Sequence, residues 1–228
     1  MPARDRMIDR FETAHGVCTI VALGDADVEA AHAALPAQER AYADSLGPLR
    51  RREVICGRTA LHDALASVEP NLASAPILAD DRGAPVLPAG WVGSVSHKGE
   101  RGAALVAPVS TARVGVDLEL AQPPRQDIAR YILTRREQEL LDQPKGTGSP
   151  DSSLADRGKG ATLRFSIKEA IYKAIDPFVR RYVGFTEVEL DVTDEGIAIV
   201  TSRLPFEIET TWQERAGFWL TTARDRAR

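Results

Sequence analysis

The sequence predicts an α+β protein made of two units of similar size. Strand-like and helix-like patterns alternate along both halves, and each half closes on strands. The length, 228 residues, fits one large domain or two small ones, and 43% apolar with 27% charged residues is the balance of a chain that buries its own core. The expected division is residues 1–110 and 111–228, with Pro108-Val109-Ser110-Thr111 as the connection. No internal sequence repeat is evident between the two halves.

In order along the chain, the apolar run at residues 17–23 predicts a short buried strand. Leu35-Pro36-Ala37-Gln38-Glu39-Arg40 predicts a helix start with proline near its first turn. Gly47-Pro48 breaks that helix, and residues 49–66 resume as a long one. Pro, Gly and Asn punctuate residues 70–90, where Asp80-Asp81-Arg82-Gly83-Ala84-Pro85 is a turn-rich loop. Strands are expected at 91–96 and 102–107, paired across Ser96-His97-Lys98-Gly99. The second half opens on a strand at 113–120 and continues with a short helix at 127–132. Thr134-Arg135-Arg136-Glu137 fits a capping box that starts a helix running to about residue 142. Residues 143–162 are rich in Gly, Ser and Pro and read as a long functional or disordered loop. A helix is expected at 165–175, stopped by Asp176-Pro177, and a run of antiparallel strands at 187–192, 197–201, 206–211 and 218–222.

Composition excludes several classes. A net charge of −4 disfavours general nucleic-acid binding. The two cysteines, Cys18 and Cys56, are too few for a disulfide framework or a cysteine zinc site. No apolar run approaches the ~18 residues of a membrane span. Met1-Pro2-Ala3-Arg4-Asp5-Arg6 leads into polar residues, unlike a signal peptide, so a soluble cytoplasmic protein is expected. The basic residues are 24 Arg and only five Lys, and two of those five lie within one six-residue stretch.

Four segments bear chemistry. In Val114-Gly115-Val116-Asp117-Leu118-Glu119-Leu120 the valines and leucines share one strand face and Asp117 and Glu119 the other, about 6.6 Å apart. Paired carboxylates at that spacing suit Mg²⁺, which takes hard oxygen ligands together with substrate phosphates. The same spacing fits an amphipathic strand with a solvated acidic face. In Phe165-Ser166-Ile167-Lys168-Glu169-Ala170-Ile171-Tyr172-Lys173-Ala174, residues 167, 170, 171, 174 and 175 form an apolar helix stripe, leaving Glu169 and Lys173 on a polar face. Glu169 is then a third carboxylate for the metal, and Lys168 and Lys173 hold phosphate oxygens. Alternatively, Ser166 and Glu169 form a capping box, and Glu169 and Lys173 an ordinary i,i+4 pair. Gly93-Ser94-Val95-Ser96-His97-Lys98-Gly99 offers an imidazole and hydroxyls to a phosphate. It lacks the nucleophile elbow of a serine hydrolase, and no His/Cys set has metal spacing. Finally, Arg50-Arg51-Arg52 and Gly57-Arg58 mark a basic helix face on which Arg51 and Arg58, seven residues apart, project alike. Ordinary surface statistics favour a solvated basic face here, though it could also bind a phosphate bidentately.

Taken in chain order, the arginine-rich helix with Gly57-Arg58, then Arg82-Gly83-Ala84-Pro85, then Ser94-Val95-Ser96-His97 and the two acidic segments, these residues resemble the 4′-phosphopantetheinyl transferase superfamily, in its longer Sfp/EntD-like type. The resemblance covers residues 48–185, and its specific parts are Gly115-Val116-Asp117-Leu118-Glu119 and Phe165-Ser166-Ile167-Lys168-Glu169-Ala170-x-x-Lys173-Ala174. It implies the 4′-phosphopantetheinyl transferase fold, two α/β halves related by a pseudo-two-fold axis, with coenzyme A in the cleft between them. A monomer is implied, since one chain holds both halves. The implied reaction moves 4′-phosphopantetheine from coenzyme A to a serine of an apo acyl- or peptidyl-carrier protein, as in secondary metabolite biosynthesis, and releases adenosine 3′,5′-bisphosphate. By the same resemblance Asp117, Glu119 and Glu169 are the Mg²⁺ ligands. Lys168 and Lys173 are pyrophosphate contacts, with His97 and Ser96 near the 3′-phosphate. Arg58, Arg82 and one of Arg50 or Arg51 are nucleotide contacts. Asp117, Glu169 and Lys173 form the implied catalytic group, Glu169 being the base for the serine proton, directly or through water. Phe165 stands where the family often has Trp. The 143–162 loop lies where a carrier would dock. Two other classes fit the same acidic trio: a Mg²⁺-dependent nucleotide or coenzyme A diphosphate hydrolase, and a non-catalytic coenzyme A-binding protein.

Overall fold

Each half of the molecule lays one long helix across an antiparallel sheet. A computed structural model describes residues 7–109, 113–143 and 150–226, without the side chains of 7 and 150–155. The first half runs β1 (Met7–Thr13), β2 (Gly16–Ala22), α1 (Asp25–Ala34), α2 (Ala37–Asp44), α3 (Pro48–Val68), β3 (Leu78–Ala79), β4 (Pro85–Val86), β5 (Trp91–Lys98) and β6 (Arg101–Pro108). The second runs β7 (Val114–Leu120), α4 (Ala129–Ile132), α5 (Arg135–Asp142), α6 (Pro150–Val179), β8 (Val188–Val192), β9 (Ala198–Ser202), β10 (Glu207–Arg215) and β11 (Phe218–Arg226).

The two main sheets have the orders β1-β2-β6-β5 and β10-β11-β7. Without the edge strand β1, the first reads β2-β6-β5 and the second, reversed, β7-β11-β10. In each, a strand leads through a long helix to a hairpin whose second strand takes the central place. The halves therefore repeat one topology without repeating a sequence.

Alternating side chains decide how the layers stack. On β6, Ala104 and Val106 join Ile55, Ala60, Leu61 and Leu65 of α3 in one core, while Ala103, Leu105 and Ala107 face Val114, Val116 and Leu118 of β7 and Leu220 of β11 in another. The order is α3, first sheet, second sheet, α6. β6 is buried on both faces, hence its small apolar residues.

Most expected elements are present, including the Thr134–Glu137 capping box, in which Glu137 N donates to Thr134 Oγ1 at 3.2 Å and Thr134 N to Glu137 Oε2 at 2.7 Å. Four expectations need correction. From Pro150 onward the Gly/Ser-rich stretch is the first part of α6 and not a loop; residues 144–149 and 110–112 of the expected loop and connection lie outside the described residues. Gly158 and Gly160 sit in this helix because an added Cβ would come within 2.7 Å of Pro123 and 2.6 Å of Leu141. Pro177 does not stop α6. The last turn is held by Phe178 against Phe206 at 5.9 Å and by Asp176 against Arg82. The four C-terminal strands do not form one run: β8 and β9 make a separate two-stranded sheet, while β10 and β11 join β7. Lastly, β1 and α1 were not anticipated, since neither shows a clean apolar period.

Candidate active site

β7 presents Gly115, Asp117 and Glu119 toward α6. Gly115 is where the helix comes closest: a Cβ there would lie 1.9 Å from the Ala170 carbonyl oxygen. This approach brings Asp117 within reach of α6. Its Oδ2 accepts from Ser166 Oγ at 2.8 Å, and its Oδ1 accepts from Lys173 Nζ at 2.8 Å and from Ser96 Oγ of β5 at 2.8 Å. Asp117 is buried, at 6% exposure. Ser166 is therefore an interior helix residue holding a carboxylate, not the cap of a helix start. Lys173 also donates to the Val116 carbonyl at 3.0 Å.

The edges of the two sheets meet through serines. Val116 N donates to Ser94 Oγ and Leu118 N to Ser96 Oγ, both at 3.1 Å. Side-chain oxygens replace a backbone ladder, so β5 and β7 adjoin while their outer ends open into a cleft of about 550 Å³. Arg50, Arg82, Ser96, His97, Lys98, Asp117, Glu119, Phe165, Glu169, Tyr172 and Lys173 line it. Cations gather toward the first half and carboxylates toward the second.

Glu169 faces this cleft. Burial pushes its carboxyl above the ordinary glutamate range; Lys173 opposes that shift and the charge of Asp117 adds to it. Glu119 is ion-paired with Lys98, at 2.7 Å and 2.8 Å to its two oxygens. His97 lies on the opposite face of β5 from Ser96, with Nε2 3.1 Å from Arg50 Nη1 and Nδ1 3.4 Å from Glu53 Oε1. Burial lowers its pKa, with Glu53 opposing and Arg50 adding.

Several expected site residues behave differently. Lys168 does not face the cleft. It is fully buried, donating to Glu137 Oε2 at 2.7 Å, the Ile132 carbonyl at 2.8 Å and the Phe185 carbonyl at 3.0 Å. It lies one residue from Glu169, and successive helix positions are about 100° apart around the axis, so the two point to different neighbours. Ser96 lines the cleft with its hydroxyl donating to Asp117 Oδ1. Of the arginine run, Arg50 lines the cleft, whereas Arg51 is bound to Glu29 and Asp44 and Arg52 to Asp25 and Glu100. Arg51 and Arg58 do project to the same side of α3, toward α2, where Asp44 takes Arg51 and Glu39 stands beside Arg58. Arg58 is 6% exposed, has Glu39 3.8 Å away, and lines a side pocket with Tyr42, Arg50 and His97; its Nη1 has no hydrogen-bond partner among the described residues. Arg82 lines the cleft with its guanidinium held by Asp176, at 2.5 Å from Nε. Sequence reasoning missed Ser166 and Lys98 as partners of the carboxylates. Both stand inside motifs already singled out, but only the fold shows what they touch.

The donor set, three carboxylates facing one cleft, has the hard oxygen chemistry of a Mg²⁺ site. The three are not drawn around one point: among the described residues no three His, Cys, Asp or Glu groups are placed to share an ion. Asp117 and Glu119 are instead neutralised by the ammonium groups of Lys173 and Lys98.

Residues 38–107 match the 4'-phosphopantetheinyl transferase N-terminal domain and residues 113–223 the 4'-phosphopantetheinyl transferase superfamily. Among characterised proteins, the chain is 35% identical over 158 residues to the 4'-phosphopantetheinyl transferase Npt of Nocardia iowensis, covering 68% of this chain and 64% of that one. It is 32% identical over 171 residues to the 4'-phosphopantetheinyl transferase Svp of Streptomyces mobaraensis, covering 73% and 64%. It is 31% identical over 180 residues to the 4'-phosphopantetheinyl transferase PptT of Mycobacterium tuberculosis, covering 78% and 73%. A looser structural likeness, TM-score 0.41 at 21% identity over 51% of this chain and 64% of the other, relates it to the holo-[acyl-carrier-protein] synthase of Thermotoga maritima. The chain belongs to the 4′-phosphopantetheinyl transferase superfamily. The matched regions span just under two thirds of the Npt and Svp proteins.

Proposed function

We propose that the chain transfers 4′-phosphopantetheine from coenzyme A to a serine of an apo acyl- or peptidyl-carrier protein, with Mg²⁺, as a cytoplasmic monomer. The observation that supports this most is the cleft between the halves, with Asp117, Glu119 and Glu169 on one side and Arg50, Arg82 and His97 on the other. The basic side suits the nucleotide phosphates of coenzyme A and the acidic side the reacting diphosphate. We assign nucleotide binding to residues 1–110 and the chemistry to residues 111–228.

In the reaction, the carrier serine oxygen bonds to the β-phosphorus and the bond from that phosphorus to the bridging oxygen breaks. Adenosine 3′,5′-bisphosphate leaves with the bridging oxygen. Serine is a weak nucleophile at neutral pH and needs a base. Glu169 faces the cleft where that proton is released, and because a carboxylate that also holds Mg²⁺ is itself a weak base, a water relay eases the transfer. Glu169 takes the hydroxyl proton directly or through a water. Lys173, fixed by Asp117 and the Val116 carbonyl, places one positive charge beside the diphosphate, and Arg50 with His97 orients the nucleotide end. For Asp117, Glu119 and Glu169 to hold Mg²⁺ the three carboxylates must draw together from their present positions and leave their lysine partners; the ion would then neutralise the charge developing on the phosphoryl oxygens.

Intact-mass measurement of an apo carrier after incubation with the protein, coenzyme A and Mg²⁺ tests the proposal. The expected result is a gain of one phosphopantetheine unit. Bisphosphate release without a carrier would identify a hydrolase, and coenzyme A binding with neither product would identify a non-catalytic binder.

A further inference from the structure

We propose that Lys98 competes with the divalent cation for Glu119, so that metal enters readily only when a diphosphate is present to take the ammonium. This rests on the metal site proposed above and concerns what controls its loading.

Lys98 Nζ straddles the Glu119 carboxylate, 2.7 Å from Oε1 and 2.8 Å from Oε2. Oε1 also accepts from Leu120 N at 2.8 Å. Both oxygens are thus engaged, and a divalent cation on the remaining lone pair of Oε2 would sit beside the ammonium, so the two positive charges compete for this carboxylate. Lys98 is able to leave. It is the last residue of β5, beside Gly99 at the turn, and its side chain is 40% exposed on a flexible stem. Lys173 is held more firmly, since its ammonium is shared between Asp117 and the Val116 carbonyl.

The displaced ammonium stays useful. Lys98 lines the same cleft as Asp117, Glu119 and Glu169, so an entering diphosphate lies within reach. In the empty cleft Lys98 supplies the positive charge that Glu119 needs; in the loaded cleft it pairs with the diphosphate, and the carboxylate is free for the metal. By linkage, each of metal and coenzyme A then strengthens the binding of the other.

The test is calorimetric titration of Mn²⁺, standing in for Mg²⁺, into the full chain with and without coenzyme A. Without coenzyme A, Lys98→Met is expected to bind Mn²⁺ about three- to fivefold more tightly than the wild type, the range set by a partly exposed ion pair. Its gain in Mn²⁺ affinity on adding coenzyme A is expected to shrink correspondingly. Lys98→Arg keeps the competing cation and should remain near the wild type. Arg50→Met removes one cleft charge without touching Glu119 and should stay within about twofold, because a more distant charge is screened.

A Lys98→Met affinity no higher than wild type overturns the inference while leaving the metal site standing, provided Mn²⁺ binds when coenzyme A is present. Equal gains in Lys98→Met and Arg50→Met also overturn it, showing a general field in place of competition at one carboxylate. No Mn²⁺ binding to the wild type with coenzyme A refutes the metal site, and this inference with it.

Discussion

Glu169 and Lys168 are adjacent in the chain, yet one faces the cleft and the other lies fully enclosed. Their substitutions should therefore fail in different ways. Glu169→Gln keeps shape and removes the base, so carrier modification should drop by ~10²–10⁴-fold with an unchanged melting curve. Wild-type turnover in that variant would take Glu169 out of the mechanism. Lys168→Met strands the Glu137 carboxylate without its cation, a loss of about 3–5 kcal/mol. For a chain of this size that lowers the melting temperature by roughly 10 °C. Denaturant unfolding checks it. An unchanged stability with a raised KM for coenzyme A would return Lys168 to the phosphate contacts that its motif implies.

The elements show how local pattern and tertiary contact divide the work. In α6, Ile167, Ala170, Ile171, Ala174 and Ile175 are all completely buried, as their spacing predicts. The same helix begins earlier and ends later than its residues alone suggest. Glycines normally weaken a helix by about 1 kcal/mol each, but a Cβ at Gly158 would run into the rigid Pro123 ring at 2.7 Å, and one at Gly160 would have to push aside the tip of Leu141 at 2.6 Å. The β1–β2 turn carries another such dependence. His15, 3% exposed, has Nδ1 2.7 Å from Thr222 Oγ1 of β11, and so ties the first hairpin to the second sheet. Burial, helped by Arg224, lowers its pKa from 6.5 to about 4. The folded state therefore disfavours the imidazolium. Stability should fall as pH drops from 6.5 toward about 4 and level off below, by about 3 kcal/mol for this residue at 1.36 kcal/mol per unit. Urea midpoints across that interval measure the slope, and His15→Gln should flatten it. An equal slope in the variant would assign the acid sensitivity elsewhere.

Across the whole molecule, the core between the two sheets joins halves that would otherwise be independent. Residues from β2, β5, β6, β7 and β11 share it, so neither half can open without exposing apolar surface of the other. The expected consequence is one cooperative unfolding transition. Trp91 lies in the first half and Trp212 and Trp219 in the second, so fluorescence of Trp91→Phe against a Trp212→Phe/Trp219→Phe variant separates the two. Coincident midpoints are expected; separated ones would make the halves independent folding units. The same junction creates the cleft, because Ser94 and Ser96 join β5 to β7 along only part of their lengths.

By itself the sequence determined the class of the fold, most of its helices and strands, and the short motifs that carry Asp117, Glu119 and Glu169. These are local properties: periodicity, capping and the alternation of a strand need only neighbours in the chain. It did not determine which side chains touch. That Arg50 and not Arg51 enters the cleft, that Lys168 belongs to Glu137, that Ser96 and Ser166 hold Asp117, and that Lys98 covers Glu119 all depend on how α3, β5, β7 and α6 are turned against one another. The physical reason is that a hydrogen bond or ion pair is decided over about 3 Å, while the partners come from segments 20 to 50 residues apart. Only packing of the two sheets and their helices, with Gly115 letting α6 close on β7, brings such distances into range.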